Sequence, residues 1–112
     1  MKIDAELLKG STYILLLSLL AKRPMYGYQI IKELEKRSNS FFQFKEGTLY
    51  PALHRLEKQT LVYAKWEKLP TTGQDRRYYF ITPQGREAYA EMLNRWRDFS
   101  NAVDLVIQPA IA

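Results

Sequence analysis

Thr48, Tyr50, His54, Arg55 and Lys58 lie within eleven residues of one another in the segment EGTLYPALHRLEK, residues 46–58. They supply hydroxyl donors, cations and an aromatic ring. That combination suits contact with phosphate oxygens and base edges rather than bond-breaking chemistry. Leu49, Ala52, Leu53 and Leu56 recur at i, i+3, i+4 and i+7, the spacing of one helical stripe. The polar set is therefore left on the outer face of an amphipathic helix. A plain solvated face would have the same pattern, so the neighbouring elements have to decide between the two.

Composition narrows the chemistry. Seventeen Lys and Arg against twelve Asp and Glu give a formal charge of +5, which suits a polyanionic partner. The chain has no cysteine and one histidine, so thiol catalysis, thiolate metal sites and two-histidine mechanisms are excluded. Its five glycines are scattered singly and form no phosphate loop. We expect no catalytic residues, no metal site and no cofactor. At 112 residues with 46% hydrophobic content, the chain has the size of one globular core. The apolar run from Tyr13 to Ala21, broken by Ser18, falls short of the about 20 residues that span a bilayer. No signal peptide is evident, and the expected setting is the cytoplasm without a membrane partner.

The elements that would position the candidate residues can be read in order. A first helix spans about Asp4 to Lys22, and its apolar second half implies burial on more than one side. Arg23 and Pro24 end it. A second helix begins at Tyr26 or Gly27 and runs to Arg37, with Tyr28, Ile31 and Leu34 at three-residue spacing and Ile30 beside them. Phe41, Phe42 and Phe44 form a short extended piece that packs its rings on the core. Thr48 is the expected N-cap of the third helix, with Pro51 inside its first turn. Alternation in Leu61 to Lys68 sends Val62, Ala64 and Trp66 to one side, and the aromatic run Arg76 to Ile81 follows a Pro- and Gly-containing turn. The pair reads as a β-hairpin. Thr82 then Pro83 start a last long helix, N-cap followed by proline at N1.

The fold class is therefore mainly α with a β-hairpin wing: a winged helix-turn-helix over residues 1–82 and a C-terminal dimerisation helix and tail over residues 83–112. Tyr26 and Lys32 on the second helix join Thr48, Tyr50, His54, Arg55 and Lys58 as candidate DNA contacts. Thr72, Gly73 and Gln74 form the wing tip, flanked by Arg76 and Arg77. Strand alternation sends those two arginines to opposite faces, so one meets DNA and the other pairs with Glu67 or Glu57. Packing of Tyr26 at the helix start and of Tyr50 against the second helix are alternative readings.

Tyr89, Met92, Trp96, Phe99, Val103 and Val106 recur at spacings of 3, 4, 3, 4 and 3, a coiled-coil-like seam. With Leu8 and Leu15 of the first helix they form the expected homodimer interface.

Four blocks carry a resemblance: MYGYQIIKEL at 25–34, GTLYPALHRLEK at 47–58, GQDRRYYFIT at 73–82 and PQGRE at 83–87. In this order they resemble the short PadR-type transcriptional regulators. Asp75 stands where the family often has Arg or Pro, and Phe80 where a polar or basic residue is common. The resemblance implies a homodimeric repressor that binds a palindromic operator in double-stranded DNA and responds to an effector. It also implies a small aromatic or hydrophobic effector site at Trp96, Phe99 and Leu15. A winged helix that binds protein or RNA without operator specificity is the alternative.

Overall fold

The computed structural model describes residues 5–108, with side chains described from residue 11 onward. Leu8, expected at a dimer interface, lies outside the described side chains. Helix α1 spans Ala5–Leu20, and its leucines 16, 17, 19 and 20 are all buried. Pro24 cannot continue a helix, and the chain turns there into β1, Met25–Tyr26. This two-residue strand adds to the expected hairpin, because two residues leave no alternation to read. It pairs antiparallel with β3, Asp75–Ile81, which pairs in turn with β2, Val62–Lys68, giving the order β1-β3-β2.

Helix α2 spans Gly27–Arg37, and the Tyr26 backbone N–H donates to Gln29 Oε1 at 3.2 Å to close its first turn. Its buried stripe is Gly27, Ile30 and Leu34, with Ile31 half-buried. Tyr28 is 59% exposed and does not join the core. The position next to Gly27 turns away from the stripe at helical pitch.

Helix α3 spans Glu46–Lys58, starting before the expected cap. The N–H groups of Thr48 and Leu49 both donate to the Lys45 carbonyl at 3.0 Å, so Lys45 is the N-cap, without a side-chain bond. Thr48 is therefore not the cap, and Pro51 lies beyond the first turn, where it removes one ladder bond. Leu49, Ala52, Leu53 and Leu56 are buried as their spacing requires. The helix closes with Thr60 in the left-handed region at φ 59, the Thr60 N–H on the Glu57 carbonyl and the Leu61 N–H on the Leu56 carbonyl. These two bonds satisfy carbonyls that the helix end would otherwise leave open.

Between α2 and α3 the Ser38 hydroxyl donates to the Leu34 carbonyl at 2.6 Å and accepts from the Phe42 N–H at 2.8 Å. Phe44 is buried and Phe42 half-buried, but Phe41 is 62% exposed. The three rings do not all pack on the core: Phe42 meets the buried Phe44, and Phe41 lies edge-on to Phe42 and stays exposed.

Helix α4 spans Pro83–Ile107. Thr82 caps it as expected: its Oγ1 accepts from the Gly85 N–H at 2.9 Å and donates to the Thr60 carbonyl at 2.7 Å. The first turns of α4 pack on α1 and β3, and Tyr89 and Met92 reach the edge of the core. Among the described residues, no helix is long and apolar enough to cross a membrane.

Gly85 sits where any Cβ would collide with the Leu61 carbonyl oxygen and come within 2.7 Å of Ile81 Cγ1. An alanine would gain about 1 kcal/mol of helix propensity. Overpacking against a fixed backbone costs about 1–3 kcal/mol. We expect Gly85→Ala to lower stability in urea unfolding, by up to about 2 kcal/mol, where an unobstructed helix would be stabilised.

Candidate nucleic-acid interface

The outer face of α3 carries the sequence candidates together. Thr48, Tyr50, Pro51, His54, Arg55 and Lys58 are exposed, opposite the buried stripe. They divide between two flanks. Arg55 leans toward α1, its Nη1 3.4 Å from the Tyr13 hydroxyl, a bond at the long limit that leaves the guanidinium exposed. Tyr50 and His54 lean toward the sheet. The Tyr50 ring lies against the backbone of Gly27: a Cβ there would strike the Tyr50 hydroxyl. Tyr50 thus packs on the start of α2 and still leaves 36% of its surface open.

These two flanking residues form one wall of a cleft of about 370 Å³, with Tyr26 and Gly27 at its inner end and Trp66, Arg76 and Arg77 on the hairpin side. Strand register explains the hairpin wall. Trp66 is the Cα partner of Arg77, and Glu67 of Arg76. Arg77 Nη2 donates to Glu57 Oε2 of α3 at 3.0 Å, and this pair ties the hairpin to the helix. Glu57, rather than Glu67, is the acid that engages an arginine. The remaining Glu57 Oε1 is buried without a hydrogen-bond partner, with His54 Nδ1 at 3.9 Å. Arg76 leaves β3 on the opposite side from Arg77 but reaches the edge of the cleft over the Tyr26 ring at 5.9 Å, with Nη2 on Gln74 Oε1 at 2.8 Å. Of the two arginines, Arg76 has no carboxylate partner among the described ion pairs and Arg77 is committed internally.

Thr72, Gly73 and Gln74 are exposed at the hairpin tip, and Gly73 adopts φ 71, a conformation open to glycine. Asp75 sits just below the tip and pairs with Lys68 at 3.2 Å, which offsets one wing cation. Phe80 stacks on Tyr63 with centroids 5.0 Å apart and planes 10° apart, and Lys65 lies 5.7 Å from both rings. Packing thus accounts for an aromatic at position 80. Lys32 is exposed over the Tyr28 ring on α2 and lines no part of the cleft. On the same helix, the hydrogen bond from Arg37 holds the Glu33 carboxyl below its usual range. Burial pushes the Tyr79 phenol up behind the cleft.

Trp66 is the cleft residue that the site candidates lacked. Alternation put it on one side of the strand with Val62 and Ala64, and the core beneath that side ends before it. Val62 is buried, Ala64 half-buried and Trp66 68% exposed. Its charged neighbours Lys65, Glu67 and Lys68 were the available signal that this end of the strand leaves the core.

A second concave surface lies on the opposite elements. A groove of about 470 Å³ is bounded by Leu15 and its neighbours on α1, by Phe41 and Phe42, and by Tyr89, Leu93, Trp96 and Phe99 on α4. Leu15, Trp96 and Phe99 thus meet in one place, with the two α4 rings 6.1 Å apart. Farther along α4, Phe99, Val103 and Val106 continue an exposed apolar strip.

The model of the transcriptional regulator PadR-like family matches residues 16–91. An uncharacterised protein of Lysinibacillus sphaericus is 31% identical over 106 residues, covering 95% of this chain and 96% of the relative. Transcriptional regulator Rv3488 of Mycobacterium tuberculosis is 37% identical over 71 residues, covering 63% of this chain and 62% of the relative. Among solved structures, a transcriptional regulator from Clostridium thermocellum superposes with a TM-score of 0.84 at 28% identity, covering 93% of this chain and 100% of that one. A PadR-like transcriptional regulator from Bacillus cereus superposes with 0.83 at 29% identity, covering 95% and 100%.

The helix-to-hairpin tie gives a stability prediction. Glu57→Ala leaves the half-buried Arg77 guanidinium without its carboxylate and should cost about 2 kcal/mol in urea unfolding, the scale of a charged hydrogen bond. His54→Ala, at an exposed position, should change stability by less than about 0.5 kcal/mol.

Proposed function

This chain belongs to the transcriptional regulator PadR-like family, and from that premise we propose that it acts in the cytoplasm as a homodimeric, effector-responsive repressor of a palindromic operator. As a family member it is a DNA-binding transcriptional regulator and not an enzyme. The observation that carries the finer reading is the pairing of two projecting surfaces. The outer face of α3 and the hairpin strands below the tip stand on either side of one cleft, and the inner face of α3 is fully used by the core. A helix of this kind fits the major groove, where base edges are distinguishable, while a hairpin reaches the neighbouring minor groove.

In this reading residues 1–82 form the DNA-binding part. Thr48, Tyr50, His54 and Arg55 address the major groove, with Tyr26, Lys32 and Lys58 at phosphates and Thr72, Gly73, Gln74 and Arg76 along the neighbouring strand. Arg77 acts through its pair with Glu57. Residues 83–112 form the dimerisation part. Support comes from the seam on α4, where Trp96 is 47% and Phe99 60% exposed on a single chain. A contiguous apolar strip of that kind is unusual on a free surface and suits an interface. The effector is a small aromatic or hydrophobic molecule, including planar aromatic cations, held by Trp96, Phe99 and Leu15.

The operator reading is tested by a mobility shift with the DNA upstream of the chain's own gene. Retention that falls steeply with salt and exceeds retention of random DNA is expected. Equal affinity for random DNA would contradict it and favour a winged-helix interaction module. Arg55→Ala should weaken operator binding about tenfold and leave the dimer intact. For the seam, Trp96→Ala should raise the dimer dissociation constant in sedimentation and spare the hairpin. Planar aromatic cations should quench tryptophan emission of the natural chain, and the absence of quenching across a broad panel would remove the effector site from the account.

A further inference from the structure

Trp66 is a large apolar side chain held in the open. It is 68% exposed, although its strand neighbours Val62 and Ala64 point the same way into the protein. Its cross-strand partner is Arg77, whose guanidinium pairs with Glu57 of α3 at 3.0 Å and so ties that part of the hairpin to the helix. The indole lines the cleft with Tyr50, His54 and Arg76, and no residue of α4 does so. The apolar seam on α4 therefore does not account for its exposure.

From this placement we infer that Trp66 packs against the deoxyribose edge of the DNA strand that runs between the two grooves. The inference rests on the reading that α3 and the hairpin tip enter adjacent grooves. One sugar–phosphate strand separates a major groove from the next minor groove, so whatever lines the space between helix and hairpin faces that strand. Arg76 offers a cation and Tyr50 a hydroxyl to its phosphates. Trp66 has no charge and a single N–H donor, and its ring matches the apolar face of the sugars. Such a contact fixes how deeply α3 sits in the groove and carries no base preference.

The test uses the full chain and a duplex that it selects from a pool of random sequences. Trp66→Ala should bind that duplex about tenfold more weakly, the scale of one aromatic contact. The slope of log affinity against log salt should stay at the natural value, because no phosphate contact is lost. Arg76→Ala, in contrast, should reduce that slope by about one unit. Hydroxyl-radical cleavage reads the sugars directly: Trp66→Ala should lose protection on one stretch of strand per half-site, and Trp66→Phe should keep it. Trp66→Gln replaces the alanine variant should that chain fail to fold, with the same loss expected. Binding within twofold of the natural chain with all sugar protections intact would overturn the inference while leaving the operator reading standing. Failure of the natural chain to select any duplex would overturn both.

Discussion

The burial of α3's inner stripe is the constraint on which everything else turns. Leu49, Leu53 and Leu56 are fully enclosed, and α1, α2 and β2 all pack on this helix. Each buried leucine is worth about 2 kcal/mol, so rotating the helix would expose several kcal/mol of apolar surface. Its orientation is therefore fixed, and with it the choice of residues that face outward. The Arg77–Glu57 pair adds a second constraint by holding the hairpin at a set distance from that face. Under the proposed function, the two surfaces that enter adjacent grooves are thus locked together before DNA arrives, which lowers the ordering cost of binding.

Much of this was legible in the residues because the spacing of apolar positions reports burial directly. The stripe of α3, the Thr82–Pro83 start of α4 and the seam from Tyr89 to Val106 follow from period and cap chemistry alone. The departures have physical causes. Thr48 has a capping side chain, yet the backbone N–H groups of residues 48 and 49 close on Lys45, so the helix starts without one. Tyr28 shares the spacing of Ile31 and Leu34, but the core accepts Gly27 on that stripe because Tyr50 occupies the space a larger residue would need. For Trp66, period-two alternation gives the side of the sheet and says nothing of where the core beneath it ends. A two-residue β1 is beyond any periodic signal.

The two concave surfaces are joined by the segment between α2 and α3. Phe41 and Phe42 line the groove that holds Trp96, their rings 5.1 Å apart, and Phe42 lies 6.2 Å from the buried Phe44. Lys45, the N-cap of α3, follows immediately. Under the proposed function, an effector in the groove presses on Phe41 and Phe42, whose contact with Phe44 leads to the start of the recognition helix. That gives a contiguous physical route between ligand and DNA, with differential contact to two positions of one segment as the energetic requirement.

Under the proposed function, two copies of α3 read DNA as a two-fold unit. The duplexes that the chain selects from a random pool, with the mass of the resulting complex, test it most directly. A two-fold symmetric sequence with half-site centres about 10 bp apart or a multiple of that, and two chains per duplex, is expected. An unsymmetrical sequence bound by one chain per duplex would contradict it.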